Sequence, residues 1–290
     1  FSIFLLLFFF FFLIKGGGLY ASGMTSVFIN NTNFLKNTGW YAGGGAAIST
    51  FFAQISYSDF LENGIDGSAV GTGFNGGAGL AITNLGHHPS PFSPFLLTVT
   101  LSHPQTSTVD SHSNVTPAFS LQYTNFISNN AGVPFYVNNG GGLYILDTSS
   151  SLNLDIERCS FKSNEANNGA GVLIDTTLVT STQRVNINLV YSAFQSNLAT
   201  SLGAGVMLSG PTAAPNSISA TVQTLLLTNN VAGAGGGALY ISNAYLELNA
   251  VVSTANLVTT VVQGTDSGST YTPPLSLSLS LSLSLSLSLF

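Results

Sequence analysis

The sequence predicts an all-β chain built as a solenoid of stacked parallel coils. Three observations point there. A Phe-x-x-Asn element and a glycine-rich element alternate along most of the chain. Helical capping signals and a 3.6-residue apolar period are nearly absent. Charged residues make up only 6% of the 290 positions, against about 25% in ordinary soluble domains.

The aromatic element reads Phe34-Leu-Lys-Asn37, Phe60-Leu-Glu-Asn63, Phe126-Ile-Ser-Asn129, Phe161-Lys-Ser-Asn164 and Phe194-Gln-Ser-Asn197, with a weaker copy at Leu226-Leu-Thr-Asn229. The last four starts, Phe126, Phe161, Phe194 and Leu226, are 35, 33 and 32 residues apart. The glycine element occurs at Gly16-Gly17-Gly18, Gly43-Gly44-Gly45, Gly76-Gly77, Gly140-Gly141-Gly142, Gly169-Ala170-Gly171, Gly203-Ala204-Gly205 and Gly235-Gly236-Gly237. Small and apolar residues follow each copy, as in Leu143-Tyr144-Ile145.

Coil stacking explains why these parts recur. Neighbouring coils lie about 4.8 Å apart, so equivalent side chains sit directly over one another. Stacked Phe rings then fill the interior, and stacked Asn amides bond along the stack. Asn and Gly both tolerate left-handed backbone angles and suit sharp corners. Like charges facing each other across strands repel, whereas rows of Ser, Thr and Asn carry no such cost. The best-formed unit is Ser151–Asp175, where alternating Leu152, Leu154 and Ile156 lead into Phe161-x-x-Asn164 and then Gly169-Ala170-Gly171.

Three stretches break the rhythm. Phe1–Ile14 is almost wholly Phe, Leu and Ile. It is shorter than the roughly 20 residues of a bilayer span. The segment 1–15 reads as a truncated signal or membrane segment, or as translated pyrimidine-rich DNA. Between Gly86 and Pro117 lie all four histidines, five prolines and neither repeat element; an inserted loop is expected there. From residue 263 a linker leads into a strict Leu-Ser alternation, a low-complexity tail expected to be disordered. The repeat domain is therefore placed at 16–262, with the insertion at 86–117.

The pairing of a Gly-Gly-small-aliphatic tetrad with Phe-x-x-Asn resembles the polymorphic outer-membrane-protein repeat of chlamydiae. It covers roughly Gly16–Asn243, excluding the insertion, and the strict tetrad occurs once, as Gly236-Gly237-Ala238-Leu239. The resemblance implies a right-handed parallel β-helix, here of about seven coils, and an adhesin-like role at the cell surface or outside the cell. After Asn243 no stretch matches that family's C-terminal membrane barrel, so barrel-mediated transport is not implied.

Composition restricts function further. Five basic residues and a net charge of −6 leave no basic patch to neutralise phosphates, which argues against nucleic acid. Cys159 is the one cysteine, so no intrachain disulfide framework exists; the expected role is a small buried residue in the stack.

Candidate chemistry is sparse. Gly71-Thr-Gly73-Phe-Asn-Gly76 formally matches the dinucleotide fingerprint, but a repeat strand rather than a helix is expected after it. Ala81 stands where a calcium-binding nonapeptide needs Asp. His87, His88, His103 and His112 share one loop without metal-ligand spacing. Asp147 and Asp175 follow corresponding glycine elements and are the best candidates for a stacked carboxylate pair, the type of arrangement glycoside hydrolysis requires. Asp155-x-Glu157 with Arg158 is the densest charge cluster, and its mixture of apolar and polar positions predicts a bend. Asn30-Asn-Thr32 and Asn114-Val-Thr116 are glycosylation sequons. No catalytic, cofactor-binding or metal-ligating residue is assigned. The expected function is non-catalytic binding of a protein or glycan along the stacked strands. A pectate-lyase-like carbohydrate-active enzyme or a non-functional gene fragment are the alternatives.

Overall fold

The computed structural model describes residues 17–40, 42–66, 76–83, 118–131, 139–146, 152–177, 185–211 and 218–259. Within them every regular element is a β-strand. The chain turns repeatedly through the same four tracks, which we call ladders I to IV in chain order. Each strand pairs in parallel with its counterpart one coil away. The ends 1–15 and 263–290, and the insertion 86–117, lie outside the described residues.

Ladder I follows the glycine elements and runs through Leu80–Thr83, Leu143–Leu146, Val172–Asp175, Val206–Ser209 and Leu239–Ser242. Ladder II runs through Ala118–Gln122, Leu152–Glu157, Val185–Val190, Ile218–Gln223 and Ala244–Asn249. In the first two coils one long strand, Leu19–Asn30 and then Ala46–Ser56, spans both tracks. Together they form a 12-stranded sheet. Ladder III is a 7-stranded sheet carrying the aromatic elements, from Asn33–Leu35 to Val252–Thr254. Ladder IV is short and joins Thr38–Gly39 to Gly64–Ile65, continues by bridges through Asn130, and runs from Glu165–Asn168 to Leu257–Val258.

Alternation decides what is inside. Along ladder II, Leu154 and Ile156 are buried while Asp155 between them is exposed. Inward residues of ladders I, II and III form one apolar core, including Ile82, Ile145, Leu189 and Phe161. The phenylalanines stack as expected: Phe60–Phe126, Phe126–Phe161 and Phe161–Phe194 ring centroids are each 4.8 Å apart and nearly parallel. A second cluster of small residues, among them Ala131, Ala166 and Ala199, closes the narrow side at ladder IV.

The asparagines form an unbroken ladder. Asn129 Nδ2 donates to Asn164 Oδ1 at 2.9 Å and to the Phe60 carbonyl at 2.9 Å. Asn164 Oδ1 also accepts the Asn129 backbone N–H at 3.1 Å. The pattern repeats from Asn37 through Asn63, Asn197 and Asn230 to Asn256. The terminal copy therefore differs from the sequence reading. Register places Leu227, not Leu226, on Phe194, and Asn230, not Asn229, on Asn197. Leu226 is 44% exposed. Both residues are leucine, so local sequence does not distinguish them; the hydrogen-bonded Asn does.

The corners also correct one physical expectation. The ladder asparagines do not hold left-handed angles. The residue before each one does: Lys36, Glu62, Ser128, Ser163, Ser196, Asn229 and Ala255 all have φ near +50°. A second left-handed column turns ladder II into ladder III at Asn31, Tyr57, Tyr123, Arg158, Tyr191, Thr224 and Ala250. This is the bend expected near Arg158. Glycine takes the third corner, as at Gly236 with φ +62°. Non-glycine residues pay a steric cost there, which the regular stack compensates.

A second glycine column has a different cause. A Cβ on Gly142 would lie 3.0 Å from Phe161 Cδ1 and 2.6 Å from the Gly171 carbonyl. The glycine and aromatic elements thus face each other across the interior, and the ring fills the space a side chain would need. In the last described coil Ser253 continues the aromatic column, and Ala238 stands in the glycine column, 2% exposed.

Phe161→Ala is expected to lower unfolding free energy by about 3–5 kcal/mol, measured by denaturant titration, with Phe161→Leu milder because Leu227 already continues that column. Asn164→Asp places a carboxyl in the buried ladder and is expected to cost about 3–5 kcal/mol at neutral pH. Burial raises the folded pKa, so the stability is fullest below about pH 4 and falls as pH rises through that raised value. Stability of Asn164→Asp that is independent of pH in an acid-to-neutral denaturation series runs against a buried amide ladder.

Candidate functional site

Outward positions are what this fold leaves for chemistry, and the four ladders present different ones. Ladder I carries one apolar outer row, Tyr144–Leu173–Met207, with Tyr144 and Leu173 buried; buried Leu146 packs against it from the neighbouring row Thr83–Leu146–Asp175–Ser209, which is otherwise polar. Burial, with Asp175 nearby, pushes the Tyr144 hydroxyl well above its ordinary pKa. Ladder III mixes Leu61, Ile127, Lys162 and Gln195. Ladder II is the polar face. Its rows run Gln54–Ser120–Asp155–Asn188–Thr221–Glu247 and Ser56–Gln122–Glu157–Val190–Gln223–Asn249, with a third, Phe52–Ala118–Asn153–Asn186–Ser219–Tyr245, polar in its middle and aromatic at its ends.

Side chains on this face bond along the rows. Asn186 Nδ2 donates to Asn153 Oδ1 at 2.9 Å, and Asn188 Nδ2 to Asp155 Oδ1 at 2.7 Å. Gln122 Nε2 donates to Glu157 Oε2 at 3.4 Å. At the edge of the face the left-handed corner column becomes a ridge of flat groups. Tyr57 and Tyr123 stack with centroids 4.8 Å apart. Arg158 follows, its guanidinium carbon 5.4 Å from the Tyr123 centroid and 5.3 Å from that of Tyr191. Arg158 also donates to the Tyr123 hydroxyl at 2.8 Å and pairs with Glu157. Sequence reasoning found the Asp155–Arg158 cluster but missed the ridge, because its members are separated by whole coils and share only a corner position.

Among the described residues the other candidates are not brought together at one place. Register sets Asp175 beside Leu146; Asp147, the other member of the expected carboxylate pair, lies outside the described residues. Asp175 Oδ1 instead accepts from the Thr177 N–H and hydroxyl, an Asx turn ending the strand. After Gly76 and Gly77 the chain forms the strand Leu80–Thr83, so the fingerprint's helix is not there; Gly71–Asn75 lie outside the described residues. Ala81 is buried within that strand. The four histidines and Asn114 are also outside. Asn30 is exposed and accepts from the Ser56 hydroxyl at 3.1 Å. Among the described residues no group of three or more His, Cys, Asp or Glu could hold a metal ion. Nor is any helix there long and apolar enough to cross a membrane.

Cys159 is buried, as expected, but it is not only a filler. Thr32, Ser58, Thr124 and Ser192 occupy the same place after the corner, and each hydroxyl donates to the carbonyl two residues back. Cys159 Sγ makes the equivalent contact with Glu157 O at 3.2 Å. Burial pushes its thiol pKa up to about 12. The native thiol is expected to resist alkylation by iodoacetamide at mildly alkaline pH and to react only in denaturant. Cys159→Ser should change stability by no more than about 1 kcal/mol, read from the denaturation midpoint.

Comparison of the chain with family models, curated proteins and solved structures found no match.

Proposed function

We propose that this chain is a non-catalytic, adhesin-like binding protein working at the cell surface or outside the cell. The fold we propose is a right-handed parallel β-helix of about seven coils, whose outer rows contact a protein or glycan partner through broad, weakly charged surfaces. The observation that carries the reading is the dispersal of most of the described carboxylates. Asp59 belongs to ladder III, Asp155 to ladder II, Glu165 to ladder IV and Asp175 to ladder I. A solenoid coil turns these residues to different sides, so no two of them can flank one bond. The repeat resemblance to chlamydial surface proteins supports the same role.

A second reading has one observation in its favour. Asp155 and Glu157 leave the same face of one strand, with Arg158 beside Glu157. Two residues along a strand separate by about 7 Å, a spacing used by inverting glycosidases. These side chains project in parallel from a flat sheet, however, and each already has a partner along its row.

Both readings meet in one pair of measurements on the purified chain. Incubation with polygalacturonate and with neutral plant and bacterial polysaccharides is expected to release no reducing ends. Labelled protein is expected to bind intact cells saturably. Release of reducing ends that Glu157→Gln abolishes would replace the binding reading with the enzymatic one.

A further inference from the structure

The binding reading leaves open which face is used and what it takes, and the row chemistry of ladder II decides both. From Ser120 to Gln223 its outer positions, Val190 apart, are amides, carboxylates and hydroxyls at the spacing of stacked strands. Asn186 with Asn153 and Asn188 with Asp155 are already aligned by their own hydrogen bonds, at 2.9 and 2.7 Å, on the exposed surface. Each amide has two N–H donors and two acceptor sites, and each of these bonds uses one. The amides of Asn186 and Asn188 lie at the exposed surface, where the remaining donor and acceptor sites meet solvent. A sugar hydroxyl donates and accepts at once, so a row of this kind matches a row of hydroxyls.

Two further features narrow the partner. The formal charges on the face are Asp155, Glu157 and Glu247 against Arg158 at its edge, and Arg158 is engaged by Glu157. The surplus is negative, which disfavours acidic polymers. Protein interfaces centre on aromatic or arginine anchors that enter a desolvated pocket. Here Tyr123 and Tyr191 cover the two faces of Arg158, so that part of the ridge offers edges and hydroxyls rather than free ring faces. Side chains held in rows by the stack also lose little rotamer freedom on binding.

We propose that the outer face of ladder II, from Ser120 to Thr221 and bordered by the Tyr123–Arg158–Tyr191 ridge, binds a neutral polysaccharide lying along the stack. This rests on the binding reading above. The test is native affinity electrophoresis of the full chain in gels containing xyloglucan, galactomannan or mixed-linkage β-glucan, with polygalacturonate and heparin as acidic comparators. At least one neutral polymer is expected to retard the protein, with little dependence on salt. Asn153→Ala/Asn186→Ala and, separately, Asn188→Ala should weaken retardation at least tenfold, while Lys162→Ala on ladder III leaves it unchanged. Unaltered melting curves show that the variants fold. Retardation that survives in both ladder II variants overturns the assigned face. Retardation only by the acidic polymers overturns the assigned ligand class, and no retardation in any gel overturns the proposal outright. Saturable cell binding is read separately and needs no glycan, so it distinguishes failure of this proposal from failure of the binding reading.

Discussion

The structure depends on one side-chain hydrogen bond, repeated at every coil. An asparagine amide in this fold reaches forward to the next asparagine oxygen and back to a carbonyl of the preceding coil, as Asn197 does with Asn230 and Phe161. Each amide therefore ties three coils together. The group is buried and satisfied at both ends, and in a low-dielectric interior such chains of bonds reinforce one another. The same ladder fixes pitch and register. A slip by one residue would leave buried amides unpaired, at the full desolvation cost of each group.

That constraint explains how coils of very different length stack without distortion. Partners along the ladder are 26, 66, 35, 33, 33 and 26 residues apart in sequence. The variation falls between tracks. In the long coils extra residues lie between ladders I and II, as between Thr83 and Ala118 or Asp175 and Val185, and between ladders IV and I, as between Ile65 and Leu80. Of the two shortest coils, one crosses from ladder I to ladder II within the strand Ala46–Ser56 and the other crosses at the single residue Asn243. The turn from ladder II to ladder III, with its left-handed residue and its Ser, Thr or Cys behind it, does not vary in length from the first coil to the fifth. Regularity is concentrated where the Phe and Asn columns are built, and length is free where they are not.

Much of this was legible in the sequence because stacking converts a three-dimensional column into a repeated word. Phe-x-x-Asn marks ladder III and the corner after it; the glycine element marks the opposite wall. What was not legible has physical reasons. Leu226 and Leu227 are chemically identical, and only the amide ladder chooses between them. Asn looked like the corner residue because it tolerates left-handed angles, yet the angle falls on its neighbour, where Lys36, Glu62 and Ser163 serve equally. Those side chains point outward, so any residue that survives the steric cost is allowed and no motif results. The ridge of Tyr57, Tyr123, Arg158 and Tyr191 is invisible for the same reason: the backbone angle repeats while the residue type does not.

This division of labour bears directly on function. Inward positions are held by packing and by the ladder, since an apolar residue there is fully buried, as Phe126 and Ile156 are, and a charge there would be unpaired. Outward positions feel only their row neighbours one coil away. Each row can change independently of the fold, so a row that stays uniformly polar next to one that stays apolar reflects a choice the stack itself does not impose. Ladder I buries Tyr144 and Leu173 in one of its outer rows, and ladder II keeps hydroxyls, amides and carboxylates on its outer face from Ser120 to Gln223. A flat sheet sends such groups outward in parallel. It can present them at a fixed interval along a line, and that geometry suits an extended ligand better than a compact one.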